Sequence, residues 1–436
     1  MGLRARAKPQ IFALRAQPSR LRCRIPPESS RLNCFHGNEP RNPAMTQLTA
    51  TSTLTPVSTS YVARPQKWLT REDLRFPLIL FLTNRIALIC FSYVGMTLVP
   101  TVYLHEAERQ KELMPHKWID GFCRWDCGWF ERLAREGYST AANANVWPLY
   151  PWIGHAVEYA TGLHRLYVLI IVANLASLGS YIVIYRLFRE LSDRNAARWG
   201  LLLMVAYPFA YNQAAGYPES LMVFSSALSL SLFRRKEHLL AGNVLGLGVM
   251  CRHITIFYGA SLLAAHVRQQ GFSPRRLLIS RGFLGLLIPL LYIGLYSLHL
   301  QRKLGDPIGY IHARSIGFGP EAWYSVLAVW RHVTFEQVPE YYVYQACALI
   351  PFIGTLALFT RRRWIELAFG AAALMTVICG CGAAGLGRYS ASCWPAFLPL
   401  GVWLSRRPLL QTPIVGALML LQGLFVWLFM HQWQIL

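Results

Sequence analysis

The sequence predicts an all-α, polytopic transmembrane helical bundle of about ten or eleven spans. Three observations lead there. The 436 residues are 54% hydrophobic and only 15% charged, with a mean hydropathy of +0.30, which is too apolar for a soluble chain of ordinary charge content. Apolar stretches near the roughly 20 residues needed to cross a bilayer recur from about residue 76 to the C-terminus. Clusters of arginine fall on every second loop between them.

Taken in order, residues 1–70 form a tail of different material. Residues 1–44 are Arg-rich with only Glu28 and Glu39 against them, and residues 46–60 are a Thr/Ser run without apolar period, so both read as disordered. A targeting peptide and an upstream extension preceding a start at Met45 are both open readings. The transmembrane domain is expected at 71–436. Long apolar runs lie at 76–104, 166–188, 277–300, 342–360, 364–385 and 412–430. Shorter runs at 198–216, 218–233, 239–251, 253–267 and 389–404 fit as tilted or paired spans.

The net charge of +22 would suggest nucleic acid in a soluble chain. Its placement excludes that partner. Arg186, Arg189, Arg194 and Arg198 share one loop, Arg234, Arg235 and Lys236 another, and Arg268, Arg275, Arg276 and Arg281 a third. Arg361 to Arg363 and then Arg406 and Arg407 follow. This is the positive-inside pattern of a protein in a lipid bilayer. It puts the loops around 105–165, 212–219, 302–341 and 386–390 outside. The ten cysteines are scattered and make no metal array. Cys123 and Cys127, on the outer side, are either free thiols or a disulfide, although their spacing on a helix suits a disulfide poorly.

The first outer loop carries amphipathic surface helices. From Trp125 the apolar residues Trp129, Phe130, Leu133 and Ala134 recur at helical spacing, with Glu131, Arg132, Arg135 and Glu136 on the other side and Gly137 as the stop. Asp126 falls in the first turn, where the helix dipole favours a carboxylate, so it is either a helix cap or a functional acid. Trp147-Pro148-Leu149-Tyr150-Pro151 starts a second short helix. Glu219, in Gly216-Tyr217-Pro218-Glu219-Ser220, offers a second carboxylate at the outer mouth of a span, where it should face a wet cavity. Gly305-Asp306-Pro307, His312, Arg314, Gly317-Phe318-Gly319 and Gly385-Leu386-Gly387-Arg388-Tyr389 complete the outer set, joined by Arg252. Two carboxylates facing several cations suit displacement at a carbon that bears a phosphate leaving group: one acid takes a hydroxyl proton, and guanidinium groups hold the phosphate.

Trp125-Asp126 with Gly137-Tyr138, Pro148-Leu149-Tyr150-Pro151, Gly216-Tyr217-Pro218-Glu219-Ser220-Leu221, Gly305-Asp306-Pro307 and Arg388-Tyr389 resemble, in this order, the PIG-V family. That is the GPI mannosyltransferase II group with its bacterial relatives, within the GT-C superfamily. The resemblance covers roughly residues 75–405 and implies a membrane hexosyltransferase. Such an enzyme moves a sugar, typically mannose, with inversion from a polyprenyl- or dolichyl-phosphate to a hydroxyl of a glycolipid or glycan on the outer or lumenal face. By position, Asp126 matches the general base and Glu219 the second outer acid. Arg314, Arg388, His312 and Arg252 are the expected donor-phosphate ligands. Trp125, Tyr138, Tyr150, Tyr217 and Tyr389 are the expected pocket. No metal or other cofactor is called for, since the acids are isolated. Asn145-Val146-Trp147 and Tyr207-Pro208 depart from the family pattern and leave the acceptor open, as they leave a partner subunit. A bacterial cytoplasmic membrane is the expected location, or the endoplasmic reticulum in a eukaryote. The rival class is a transporter or lipid flippase, which would need mid-membrane acids and two similar halves.

Overall fold

The computed structural model describes residues 70–98, 117–318, 340–380 and 385–431. The expectations that fall on 1–69, 99–116, 319–339, 381–384 and 432–436, among them the disordered tail, the start at Met45 and Gly319, lie outside the described residues. Among the described residues every regular element is helical. The principal helices are α1 (Arg71–Leu98), α2 (Asp126–Glu136), α3 (Leu149–Thr161), α4 (Arg165–Leu191), α5 (Arg194–Ala206), α6 (Glu219–Arg234) and α7 (His238–Cys251). They continue with α8 (Gly259–Gln270), α9 (Arg281–Leu304), α10 (Glu340–Thr360), α11 (Trp364–Gly380), α12 (Leu386–Ser390), α13 (Phe397–Ser405) and α14 (Pro408–Met430).

Each apolar run read from the sequence contains a helix, but the runs differ in kind. Five helices, α1, α4, α9, α10 and α14, are long and apolar enough to cross a membrane alone. Their outward faces are those of lipid-facing spans. On α1, Leu80, Asn84 and Leu88 turn inward at helical spacing while Ile79, Leu82 and Ile86 stand exposed on the opposite side.

The shorter runs are interrupted helices, and the interruptions are chemically specified. Tyr207 precedes Pro208 and takes an extended conformation, so α5 ends there and a 3-10 segment, Pro208–Gln213, follows. Helix α7 ends at Arg252, which is extended, before the 3-10 turns His253–Tyr258. A third break separates α12 from α13. Backbone freed in an apolar bundle must find internal partners. Gln422 on α14 donates its amide to the Val205 and Tyr207 carbonyls at 2.8 and 2.9 Å. Asn174 on α4 donates to the Ala214 carbonyl at 3.0 Å, and Arg85 on α1 to that of Gln213 at 3.3 Å. Arg85 is itself held by Asn174 and Ser177 at 2.5 and 2.6 Å and lies over the Phe81 ring. Asn84 donates to Gln422 at 3.1 Å, which closes the network.

The arginine clusters gather at one end of the bundle. Glu72 receives Arg194 and Arg198, Asp73 receives Arg189, and Glu190 lies among Arg186, Arg234 and Arg235. Arg363 reaches the Leu191 carbonyl and Asn195 that of Ser405, bringing the later loops to the same end. The helix breaks described above lead to the opposite end, where the outer motifs collect. Replacing Gln422 by Leu leaves two carbonyls unpaired in the core at a cost of about 1–3 kcal/mol each. The thermal midpoint of the purified protein in detergent is expected to fall clearly; an unchanged midpoint would show that those carbonyls have other partners.

Candidate active site

The first acid is placed by a knot of backbone contacts. Helix α2 begins at Asp126, and Trp125 before it has φ 54°, a left-handed value that a Trp adopts only under local constraint. Part of that constraint is covalent. Cys123 and Cys127 form a disulfide with their Cα atoms 5.1 Å apart. Cys123 lies outside the helix, in the turn that precedes it, so the objection from helical spacing does not apply. The knot is tied to the loop before the second acid. Gly216 donates its N–H to the Phe122 carbonyl at 3.0 Å, and a Cβ at Gly216 would stand 2.7 Å from the Cys127 sulfur, so only glycine fits this approach. Tyr217 donates its hydroxyl to the Arg124 carbonyl at 2.8 Å. Arg124 is buried, pairs with Asp120 and donates to the Met430 carbonyl at the end of α14.

Glu219 starts α6 behind Pro218 and is buried. Between the two acids stands Arg388 on α12. Its Nη1 donates to Asp126 at 2.8 Å, its Nε lies 3.3 Å from Glu219, and its Nη2 donates to the Tyr389 hydroxyl at 3.2 Å. Arg252 adds a second guanidinium, 3.4 Å from Glu219 and over the Tyr389 ring at 4.8 Å. The Tyr217 ring covers Arg388 at 5.3 Å. Helix α12 is held in place by Gly387, against which the Phe209 ring packs directly, and by hydroxyl pairs of Tyr207 with Ser390 at 2.7 Å and of Tyr258 with Ser392 at 2.9 Å.

The two carboxylates differ in access, which separates their roles. The Glu219 side chain is 3% exposed and that of Asp126 is 36% exposed, so an incoming molecule meets Asp126 first. Partial burial works to raise the Asp126 pKa, but Arg388 and then Arg252 outweigh it and hold this carboxyl below its usual range. Burial, and after it the charge of Asp126, pushes the Tyr217 phenol well above its ordinary value, so it remains a hydrogen-bond donor.

The structure thus brings together Asp126, Glu219, Arg388, Arg252, Tyr217 and Tyr389, with Trp125 at the helix start. The other expected residues lie elsewhere. Tyr138 gives its hydroxyl to the Val146 carbonyl at 2.5 Å and packs on Tyr296 and His299. Tyr150 is a buried brace, bonded to the Leu169 carbonyl at 2.8 Å and packed against Phe130. His312 pairs with Asp306 at 2.8 Å on an exposed loop. Arg314 opens a short helix, Arg314–Phe318, in the neighbourhood of His253. The amphipathic reading of α2 needs one exchange: Trp129 is exposed, with Arg132 stacked on it, while Glu131 is buried and pairs with Arg165 at 2.7 Å. Among the described residues no group of three or more His, Cys, Asp or Glu side chains is arranged to hold a metal ion.

Comparison with known proteins gives a partial likeness. Residues 145–303 match the family described as dolichyl-phosphate-mannose-protein mannosyltransferase. That segment, less than half of the chain, holds Glu219 and Arg252 but neither Asp126 nor Arg388. No curated protein matches the chain. Among solved structures, the oligosaccharyltransferase of Archaeoglobus fulgidus in complex with zinc and sulfate is 13% identical, with a TM-score of 0.41, over 80% of this chain and 52% of that one. The oligosaccharyltransferase AglB of the same organism, with an inhibitory peptide and a dolichol-phosphate, is 12% identical, with a TM-score of 0.42, over 81% of this chain and 56% of that one. The chain spans about half the length of these proteins.

Two outcomes follow from this geometry. With Arg388 replaced by Ala, Glu219 stays buried beside one guanidinium instead of two, and the loss of stability is expected to be about 3 kcal/mol. The Asp126 pKa rises in that variant, because a folded-state pKa held down by a cation returns upward when the cation goes. Any acid-side loss that depends on ionised Asp126 therefore moves to higher pH, which a pH titration of the variant against the parent measures. Alkylation of the denatured protein, mapped by mass spectrometry, should modify Cys123 and Cys127 only after reduction.

Proposed function

We propose that this chain is an integral membrane glycosyltransferase of GT-C type that moves a hexose, mannose in the first instance, from a polyprenyl- or dolichyl-phosphate to an acceptor hydroxyl. The observation that carries the reading is the accessible Asp126 carboxylate, bonded at 2.8 Å to an arginine that also lies 3.3 Å from buried Glu219. A single solvent-reachable base beside fixed cations is what displacement of a phosphate requires. The match of residues 145–303 to a dolichyl-phosphate-mannose-using family supports the donor class. The ordered PIG-V-like motifs support mannose. The disulfide beside Asp126 supports an oxidising compartment on the side of the site.

In the reaction the acceptor oxygen attacks the anomeric carbon from the face opposite the phosphate, and the carbon–oxygen bond to phosphate breaks with inversion. The acceptor proton passes to Asp126, and the electron pair leaves on the lipid phosphate. Arg388 keeps Asp126 ionised and anchors Glu219. Arg252 receives the phosphate charge, and Tyr389 and Tyr217 wall the sugar. Glu219, out of reach of solvent, positions Arg388 and Arg252 and takes no proton. Gathering Asp126 and Glu219 at one end, beside helix breaks, favours transfer over transport. The outer face of a bacterial cytoplasmic membrane, or the lumenal face of the endoplasmic reticulum, is the setting.

In membranes supplied with polyprenyl-phosphate mannose, Asp126→Asn should lower transfer at least about 100-fold, the scale of a lost general base. Full activity in that variant, at equal folded amount, would sink the assignment.

A further inference from the structure

A recess rimmed by arginines lies at the opposite end of the bundle from the site. It has a volume of about 370 Å³ and sits between the start of α1 and the start of α5. Arg71, Arg75, Arg194 and Arg198 line it, against one acid, Glu72. Glu72 is already shared: Arg194 holds it, Arg198 approaches it at 3.4 Å and the Tyr185 hydroxyl bonds it at 3.1 Å. Arg71 and Arg75 are exposed, and no described acid lies within ion-pair distance of either. The cavity therefore carries a surplus of positive charge. Its floor is not polar. Phe76, under the Arg198 guanidinium at 5.5 Å, and Ile79 form it.

From Ile79 the apolar surface continues along α1. Leu82, Ile86 and Ile89 follow at helical spacing, each between 43% and 62% exposed, and form a strip that runs away from the arginines toward the bundle's other end. A charged mouth opening onto such a strip matches a molecule with an anionic head and a long apolar tail. The strip belongs to the lipid-facing side of α1, so the charged mouth stands where a headgroup and its own chain would arrive together.

We infer that the cavity between α1 and α5 binds the phosphate head of an anionic phospholipid from the leaflet that faces the arginine-rich end, with an acyl chain laid along the Ile79–Leu82–Ile86 strip of α1. The site is separate from the two-acid site and does not depend on the reaction assigned to it. Arg71 and Arg75 supply the pairing charge, and Arg194 and Arg198 share theirs between the lipid and Glu72. Clusters of basic side chains beside a span attract acidic leaflets in this way.

The test uses the full-length protein, purified in a mild detergent and titrated with phosphatidylglycerol or phosphatidylcholine, with bound lipid read by native mass spectrometry. Phosphatidylglycerol should be retained and phosphatidylcholine should not. The double variant Arg71→Gln, Arg75→Gln should retain it on the order of tenfold less well. Arg406→Gln with Arg407→Gln, at the same end but outside the cavity, should retain it like the parent. Both altered arginines of the cavity are exposed, and matching thermal melts will show that the variant is folded. Equal retention of the two lipids overturns the inference, as does equal loss in the two double variants, which would mean diffuse charge attraction. Displacement by glycerol 3-phosphate as effective as by the lipid overturns it too, since the site would then belong to a soluble phosphate.

Discussion

Broken helices inside an apolar bundle are tolerable only if every carbonyl and N–H they release is bonded within the protein. That constraint explains features that look unrelated. Asn84, Arg85, Asn174 and Gln422 come from three spans and are costly in a lipid environment. Together they form a network that caps the segment after α5. The break at Tyr207-Pro208 is then stable, and its exit directs the chain through Gly216 and Tyr217 to Glu219. The polar residues in the membrane thus act through backbone geometry, and the chemistry lies one step further along the chain.

At the site a similar economy holds. Arg388 pairs with the buried Glu219 and the half-buried Asp126 at once, so neither acid is an isolated charge. Two acids held by one cation resist movement. The aromatic rings of Tyr217 and Tyr389 remove water from around the guanidinium, which strengthens these contacts. Rigidity of this kind favours a fixed reacting geometry over a site that must carry a solute through the membrane.

Much of this was legible in the sequence, and for definite reasons. Spans announce themselves by length and hydropathy, and the ends of the bundle by where arginine is concentrated; asking which charges fall on the other side singles out Asp126, Glu219, Arg252 and Arg388, whose side chains the structure brings together. Tyr138 and Tyr150 were expected in the pocket, and in the structure their hydroxyls bond the Val146 and Leu169 carbonyls; an aromatic next to a motif is as well suited to bracing as to lining. The Cys123–Cys127 bond was disfavoured because helix spacing was applied to both cysteines, although Cys123 lies three positions before the start of α2. The capping role of Gln422 was hidden for another reason. A polar residue in a span gives no hint of its partner until the fold brings α14 to α5, more than two hundred positions away in sequence.

Those long separations have a consequence for synthesis. Asp126 and Arg388 are 262 positions apart, and Arg124 reaches Met430 across 306. A ribosome releasing the chain from its N-terminus delivers the first acid and its disulfide loop long before their arginine, and the final span last of all. Until then Glu219 has only Arg252 for company, and the carbonyls after α5 await Gln422. The nascent bundle must therefore shelter unpaired polar groups through most of translation, which makes it a natural client for insertion machinery that shields helices until the last one arrives.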